Sequence, residues 1–386
     1  MKKQRSASAT ANVFGRPAQA AQPPHSSELE RQIAATYFST GRFTEAEQHC
    51  RNLVALYPND AFGWAMLGAS LNQMGQLAAS LEPMQKAALL NPYDVQAFHN
   101  LGSTQKLLGN DTFAQACYER ALELNPEHTD TLGSLAGLLH DAGQKEEALL
   151  LFKRKAALQP EDGYTAHMVA ALSGQQTTHA PAAYITRLFD GYAPSFEAHL
   201  TQGLHYHTPE LLMAALDQIA APAPRQWDVL DLGCGTGLSG ATIAAHARSL
   251  IGVDLSAGML ARARERGIYQ QLIQSDILAA LQAQASASQD VILAADVFVY
   301  VGELSAVFQE IRRVLRPKGY FCFSVELLPE SAGRLVQLEP SGRYSHASSH
   351  LAQLAAQHGF RSSSETEVIL RQDTLGPIQG KLSIWS

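Results

Sequence analysis

Two patterns of apolar spacing divide the chain. Through its first 160 residues the pattern reads helix, turn, helix, four times over, with a period of 34. Gly41, Gly75, Gly109 and Gly143 mark that period, as do Pro58, Pro92, Pro126 and Pro160. Ala34, Gly68, Gly102 and Ala136 form a third series, of small residues that let the paired helices approach closely. The glycines permit the backbone that ends the first helix of each pair, and the prolines end the second. Tyr164 to Ser173 predicts one more helix, which caps the open end of the stack. A polar linker over 173–178 follows.

Beyond the linker, Tyr184, Leu188, Phe189, Tyr192, Phe196 and Leu200 keep helical spacing, interrupted at Gly191 and Pro194. Two short helices are expected there, then a third from Pro209 to about Ile219. From Trp227 the rhythm changes to α/β alternation. Strands are expected near 227–232, 249–254, 270–274, 290–295, 319–325, 361–370 and 380–385. Helices are expected near 237–247, 257–266, 276–284, 303–315 and 346–358. Five alternations with apolar strands imply a parallel sheet covered on both faces. The last two strands have no helix between them and imply an antiparallel pair at one edge. The expected domains are a tail (1–27), helical repeats with a capping helix (28–174), a linker and helical cap (175–225), and an α/β domain (226–386).

Composition changes this picture little. At 386 residues and 46% apolar, the chain can fill two or three cores. A net charge of −7 argues against a broad nucleic-acid surface, which needs clustered cations. No apolar run approaches the ~18 residues of a membrane helix. Cys50, Cys117, Cys234 and Cys322 show neither metal-ligand spacing nor a disulfide framework, so no metal and a cytoplasmic location are expected. The first 27 residues are basic, with no acidic residue and no apolar core of a signal peptide, and read as a disordered tail.

Candidate chemistry concentrates at residues 229–237, Val-Leu-Asp-Leu-Gly-Cys-Gly-Thr-Gly, a strand running into a glycine-dense turn. Asp254 ends the next apolar run, 17 residues after Gly237. That pairing is how an open α/β sheet holds a nucleoside-containing cofactor. A dinucleotide site is the competing reading. Leu238 stands where its pattern wants a third glycine, and the acidic Asp231 is a poor neighbour for a pyrophosphate.

The second repeat unit resembles a tetratricopeptide repeat at Trp64, Leu67, Gly68, Leu71, Ser80, Met84, Ala87 and Pro92. The third unit has Gln105 where a large apolar residue is usual, and the first has Glu30 in place of the large aromatic. The resemblance implies a superhelix whose inner groove is lined by Phe62, Ala65, Ala69 and Asn72, then His99, Ser103 and Lys106, then Gly133, Gly137 and His140. A protein or peptide partner is expected in that groove, although the cations that clamp a C-terminal carboxylate in some relatives are missing. A homo-oligomer is left open.

The region from about 182 to 386 resembles class I S-adenosylmethionine-dependent methyltransferases, with a seven-stranded, mostly parallel, Rossmann-like sheet. The chain as a whole resembles predicted bacterial methyltransferases of this class that carry tetratricopeptide repeats in front. The resemblance implies S-adenosylmethionine as cofactor and S-adenosylhomocysteine as product. It implies that Asp231, Gly233, Gly235 and Gly237 face the methionyl part, Asp254 and Leu255 the ribose, and Asp276 and Ile277 the adenine, with Tyr192 and Phe196 closing over them. Capping of the following helix is the competing use of Asp276. His205 and His207, either side of Tyr206, are expected to pack within the cap.

On the acceptor side, Asp296 and Tyr300 end the fourth strand as catalytic candidates. Glu326, Arg343 and Tyr344 are substrate-binding candidates from the end of the fifth strand and the insertion behind it. Arg343 suits a carboxylate or phosphate. His346 is either a general base or the opening of a surface helix. The fourth strand lacks the Asn/Asp-Pro-Pro-Tyr/Phe sequence with which relatives methylate amide or exocyclic amino nitrogens. Three functions remain open at this point: a transferase whose repeats recruit a protein or peptide acceptor, a small-metabolite transferase with a scaffolding array, and a non-catalytic protein that binds S-adenosylmethionine.

Overall fold

The computed structural model describes residues 25–386, apart from 193–195, 199, 201–202, 205, 221–223 and 374–375. The side chains of His25, Ser26, Arg187, Tyr192, Ala198 and Asp373 also lie outside the described set. The tail expected over 1–27 therefore falls almost wholly outside it, as does His205. Contacts divide the chain into two compact units, one ending at Pro126 and the other spanning Glu127–Ser386.

The first unit holds three helix pairs: α1 (His25–Ser39) with α2 (Phe43–Leu56), α3 (Ala61–Gln73) with α4 (Leu77–Leu90), and α5 (Val95–Leu107) with α6 (Asp111–Leu124). Gly41, Gly75 and Gly109 take positive φ of 75°, 73° and 77°, which a side chain would strain. A Cβ on Gly68 would lie 2.7 Å from Met84, and one on Gly102 2.8 Å from the Tyr118 ring. The small-residue series thus exists to seat the partner helix. Asp60 and Asp94 cap α3 and α5 by accepting first-turn N–H groups. Gln105, unexpected in a core position, is buried and its amide oxygen accepts from Asn110 at 2.9 Å.

The second unit opens with the fourth pair, α7 (Thr129–Asp141) and α8 (Lys145–Leu158), and the capping helix α9 (Gly163–Leu172). Asp162 caps α9 as Asp60 and Asp94 cap their helices. Three helices follow: α10 (Ala182–Tyr192), the single turn α11 (Phe196–Ala198) and α12 (Thr208–Ala220). His207 lies exposed just before α12, so it does not pack as expected; burial falls to Tyr206 beside it.

The α/β part then runs β1 (Trp227–Leu232), α13 (Leu238–Ile243), β2 (Ala247–Asp254), α14 (Ala257–Glu265), β3 (Gln271–Gln274), α15 (Ile277–Ala283) and β4 (Gln289–Ala294). It continues with α16 (Ser305–Val314), β5 (Leu315–Leu328), β6 (Val336–Leu338), β7 (Tyr344–Ala347), α17 (Ser348–His358), β8 (Ser362–Asp373) and β9 (Gly376–Trp385). The strand order is β3-β2-β1-β4-β5, with β9 antiparallel on β5 and β8 antiparallel on β9. Those are the seven expected strands. The short β6 and β7 join them as a hairpin, with β7 parallel to the end of β5.

Alternation along β1 feeds two apolar layers. Leu230 and Leu232 pack with Val307, Phe308 and Ile311 of α16, while Trp227 and Val229 pack with Leu212 and Leu216 of α12. Asp231 follows the parity of Val229 and is 1% exposed. β1 pairs in parallel with β2 on one side and β4 on the other, so the direction in which successive strands are added to the sheet reverses there. The crevice beyond the carboxyl ends of β1 and β4 is where such sheets receive ligands.

Candidate functional site

The turn after β1 reaches that crevice. Gly233, Gly235 and Gly237 adopt φ of +60°, +54° and +91°, the left-handed region that only glycine enters cheaply. Neighbours also exclude side chains: a Cβ on Gly233 would sit 2.6 Å from Val297, and one on Gly237 2.9 Å from Arg266. At Gly235 the nearest neighbour to such a Cβ is the Phe196 ring, at 3.8 Å. The Phe196 ring thus faces the turn at Gly235. The Tyr192 side chain is outside the described set.

Asp254 ends β2 and fastens the turn. Its Oδ2 accepts the Gly235 N–H at 2.9 Å and its Oδ1 accepts the Ser256 N–H at 2.8 Å. Burial raises its pKa while those N–H groups pull it down, and burial wins. Each carboxylate oxygen keeps a lone pair for another donor. Asp231 is more deeply placed. Its Oδ2 accepts the Tyr269 hydroxyl at 2.7 Å, and its buried Oδ1 accepts nothing among the described residues. Burial pushes its carboxyl up to about 7, opposed by the Tyr269 hydrogen bond.

Farther along the strand ends, Leu255 and Ile277 are partly buried. Asp276 caps α15, with Oδ1 accepting from Leu278 and Ala279 at 2.8 and 3.2 Å. The capping use of this residue is therefore present.

Two polar ties that the sequence reading missed hold the helical cap to the turn. Asp190 of α10 accepts the Ser256 hydroxyl and the Gly258 N–H at the start of α14. Glu197 of α11 pairs with Arg266 at 2.6 Å, and Arg266 in turn donates to the Thr236 carbonyl at 2.6 Å. Asp190 lies inside the Phe-Asp-Gly-Tyr segment of the cap, so its sequence neighbourhood was a usable signal.

Across the crevice, Asp296 sits just after β4 at φ +55°. Its N–H donates to Ser324 Oγ at 2.8 Å, the same hydroxyl donates to its Oδ1 at 2.7 Å, and Arg371 contacts its Oδ2 at 3.2 Å. The other end of the Arg371 guanidinium pairs with Glu326. Asp296 and Glu326 are thus counter-ions of one arginine on β8, which the sequence reading did not anticipate. Tyr300 completes the turn after β4, with its ring 5.5 Å from Phe189 and 6.4 Å from Tyr184. Arg343 lies beside it: burial works against the guanidinium charge, but the Tyr300 hydroxyl and the Glu326 carboxylate hold its pKa above the ordinary value.

Two candidates from the insertion turn elsewhere. The Tyr344 hydroxyl meets Thr177 of the linker, and its ring packs on Gly302. His346 is 0% exposed in β7, with Nε2 3.3 Å from the Phe298 carbonyl and its ring stacked on His350. Burial pushes it down to about 4. It neither opens a surface helix nor presents a nitrogen to an acceptor. All four residues of β7 are buried, so no alternation marked it as a strand. Among the described residues no cluster of His, Cys, Asp or Glu is placed to hold a metal, and no helix is long and apolar enough to cross a membrane.

Parts of the chain are similar to known proteins. Residues 230–323 match the methyltransferase domain family, and residues 31–57 and 95–128 match tetratricopeptide repeat families. A malonyl-acyl-carrier-protein O-methyltransferase of Methylovorus sp. (strain MP688) is 32% identical over 151 residues, 37% of this chain and 49% of that enzyme. Its counterpart from Enterobacter lignolyticus is 32% identical over 161 residues, 40% of this chain and 61% of that enzyme. The chain therefore spans about half to three fifths of the length of these relatives. A solved S-adenosylmethionine dependent methyltransferase from Mesorhizobium loti covers 46% of this chain and 95% of its own, at 19% identity and a TM-score of 0.37.

The chain carries a methyltransferase domain preceded by tetratricopeptide repeats. The cofactor of such domains is S-adenosylmethionine.

Proposed function

We propose that this chain transfers the methyl group of S-adenosylmethionine to a carboxylate oxygen displayed on a protein or peptide. The observation that carries the donor half is the Asp254 carboxylate fastened to Gly235 within a turn of three left-handed glycines. That arrangement puts backbone without side chains of its own at the carboxyl end of β1 and sets a hydrogen-bonding carboxylate beside it. Both features fit a nucleoside cofactor, and the unpartnered Oδ1 of Asp231 fits a donor from its amino-acid part. Asp231, Gly233, Gly235, Gly237, Asp254 and Leu255 hold the cofactor on this reading, with Ile277 against the adenine and Tyr192 and Phe196 above.

When bound, the cofactor supplies an electrophilic methyl group, and the chain's work is to align the acceptor and exclude water. Among the described residues the acceptor side offers no idle base. Asp296 is tied to Ser324 and Arg371, and His346 is enclosed. A carboxylate needs none, because it is already ionised and nucleophilic. Arg343 and Tyr300 supply donors suited to it. The relatives named above, which are O-methyltransferases of malonyl-acyl-carrier protein, point to the same acceptor chemistry. The repeats are the partner-binding part.

The test is labelling of a cell extract with methyl-tritiated S-adenosylmethionine and the purified chain. Methyl esters release tritiated methanol in mild alkali, whereas methyl on nitrogen, sulfur or carbon stays. Alkali-labile label on protein supports the proposal. Alkali-stable label would reject the carboxylate, and label only on small molecules would reject the protein acceptor.

A further inference from the structure

The groove positions of the repeats recur every 34 residues, so Asn72 and Lys106 correspond to His140, and His99 and Gly133 correspond to His167. With Asp162 capping it as Asp60 and Asp94 cap α3 and α5, α9 is the first helix of a fifth unit in register. Both histidines stand where a repeat meets its ligand, and both are occupied. His140 Nε2 lies 2.9 Å from the Pro340 carbonyl, and His167 Nε2 lies 2.8 Å from the Gly342 carbonyl.

The segment they hold is the turn between β6 and β7. It closes on itself through Glu339 N–H to Arg343 O at 2.8 Å and Gly342 N–H to Glu339 O at 2.9 Å. Gly342 has φ +79°, and a Cβ there would lie 2.8 Å from the Tyr184 hydroxyl and 3.2 Å from Met168 Sδ. The turn is therefore pressed against α9 and α10. The linker adds a further contact, Gln176 Oε1 accepting the Leu338 N–H at 2.8 Å. Arg343 follows Gly342 directly and reaches Tyr300.

We infer that the fourth repeat and α9 bind the 339–343 turn of their own chain, and that His140 and His167 are positioning residues for Arg343. The contacts go to main-chain carbonyls, so they fix the path of the turn whatever its side chains. On this inference the last groove positions are filled in cis and form a wall of the acceptor site. The part concerning Arg343 rests on the acceptor-side reading proposed above; the docking itself does not.

The test uses the full chain with His167→Leu, which removes the donor, and His167→Gln, whose Nε2 restores one at similar reach. Hydrogen exchange should speed up by about tenfold at 336–343 in His167→Leu, return towards wild type in His167→Gln, and stay unchanged at 233–237. Labelling of the extract should fall by about tenfold in His167→Leu and recover in His167→Gln, with S-adenosylmethionine affinity within about twofold of wild type. Unchanged exchange at 336–343, or acceleration spread evenly over the unit, would overturn the docking. Faster exchange with unchanged labelling would overturn the positioning of Arg343. If the wild type binds no S-adenosylmethionine, the proposed function falls, while the exchange result still decides the docking.

Discussion

The repeats of the first unit and the fourth repeat obey one steric grammar and use it differently. In the first unit the groove position at Asn72 is tied within the array, donating to Thr104 at 2.7 Å and accepting from Ser80 at 2.8 Å. In the second unit the corresponding His140 reaches Pro340, 200 residues away. The period, the turn glycines and the small-residue series are common to both, because they serve packing between paired helices. The polar positions on the groove side are free of that duty. They can serve the array or, as in the fourth repeat, an insertion from the α/β sheet. Contacts correspondingly group the fourth repeat with the sheet.

The largest expected effect separates two truncations. A chain starting at Glu127 should fold and keep its S-adenosylmethionine-induced rise in melting temperature. One starting at Gln175 lacks His140, His167 and the packing of α9, and should lose cooperative unfolding by circular dichroism. Equal behaviour of the two would dissolve the distinction between third and fourth repeats.

A smaller effect should stay within one unit. Gly102→Val drives a side chain into the Tyr118 ring and should cost about 2–3 kcal/mol by denaturant titration. Cofactor affinity should not change. Loss of affinity would show that the first unit matters to the site in ways the comparison denies.

Next comes a pH effect confined to the second unit. The Asp231 carboxyl is raised from 3.8 to about 7 by burial, so its contribution to stability is full below pH 3.8 and lost as pH rises through about 7. Asp231→Asn removes that loss. It should stabilise the unliganded chain at pH 8 by on the order of 2 kcal/mol, with the gain vanishing near pH 4. A gain independent of pH would contradict the assignment.

The smallest effect is at the cap. Glu197 is 46% exposed in its pair with Arg266, so Glu197→Gln should weaken cofactor binding by only about two- to fivefold, less in high salt. No change at low salt would remove this tie from the account.

What was legible in the sequence was what local sterics enforce. The repeat markers each answer a backbone or close-approach demand, and the glycine turn with Asp254 lies within one strand–turn–helix–strand passage. Even there one series went unread: Asp60, Asp94 and Asp162 share the same 34-residue register, with His128 in the remaining place. The illegible part joins distant elements. Arg371 meets Asp296 across 75 residues, Arg266 meets Glu197 across 69, and His167 meets Gly342 across 175. No periodicity carries such pairs. His346 was misread for a related reason, since a four-residue strand buried on both faces shows no alternation and its histidine looks available.

The most direct test is calorimetric titration of S-adenosylmethionine into the full chain and into Asp254→Ala, with melting curves confirming that both are folded. The wild type should bind, and Asp254→Ala should bind at least about tenfold more weakly, the scale of losing hydrogen bonds to a charged group. Equal affinity of the two, or no binding by the folded wild type, would contradict the site at the glycine turn.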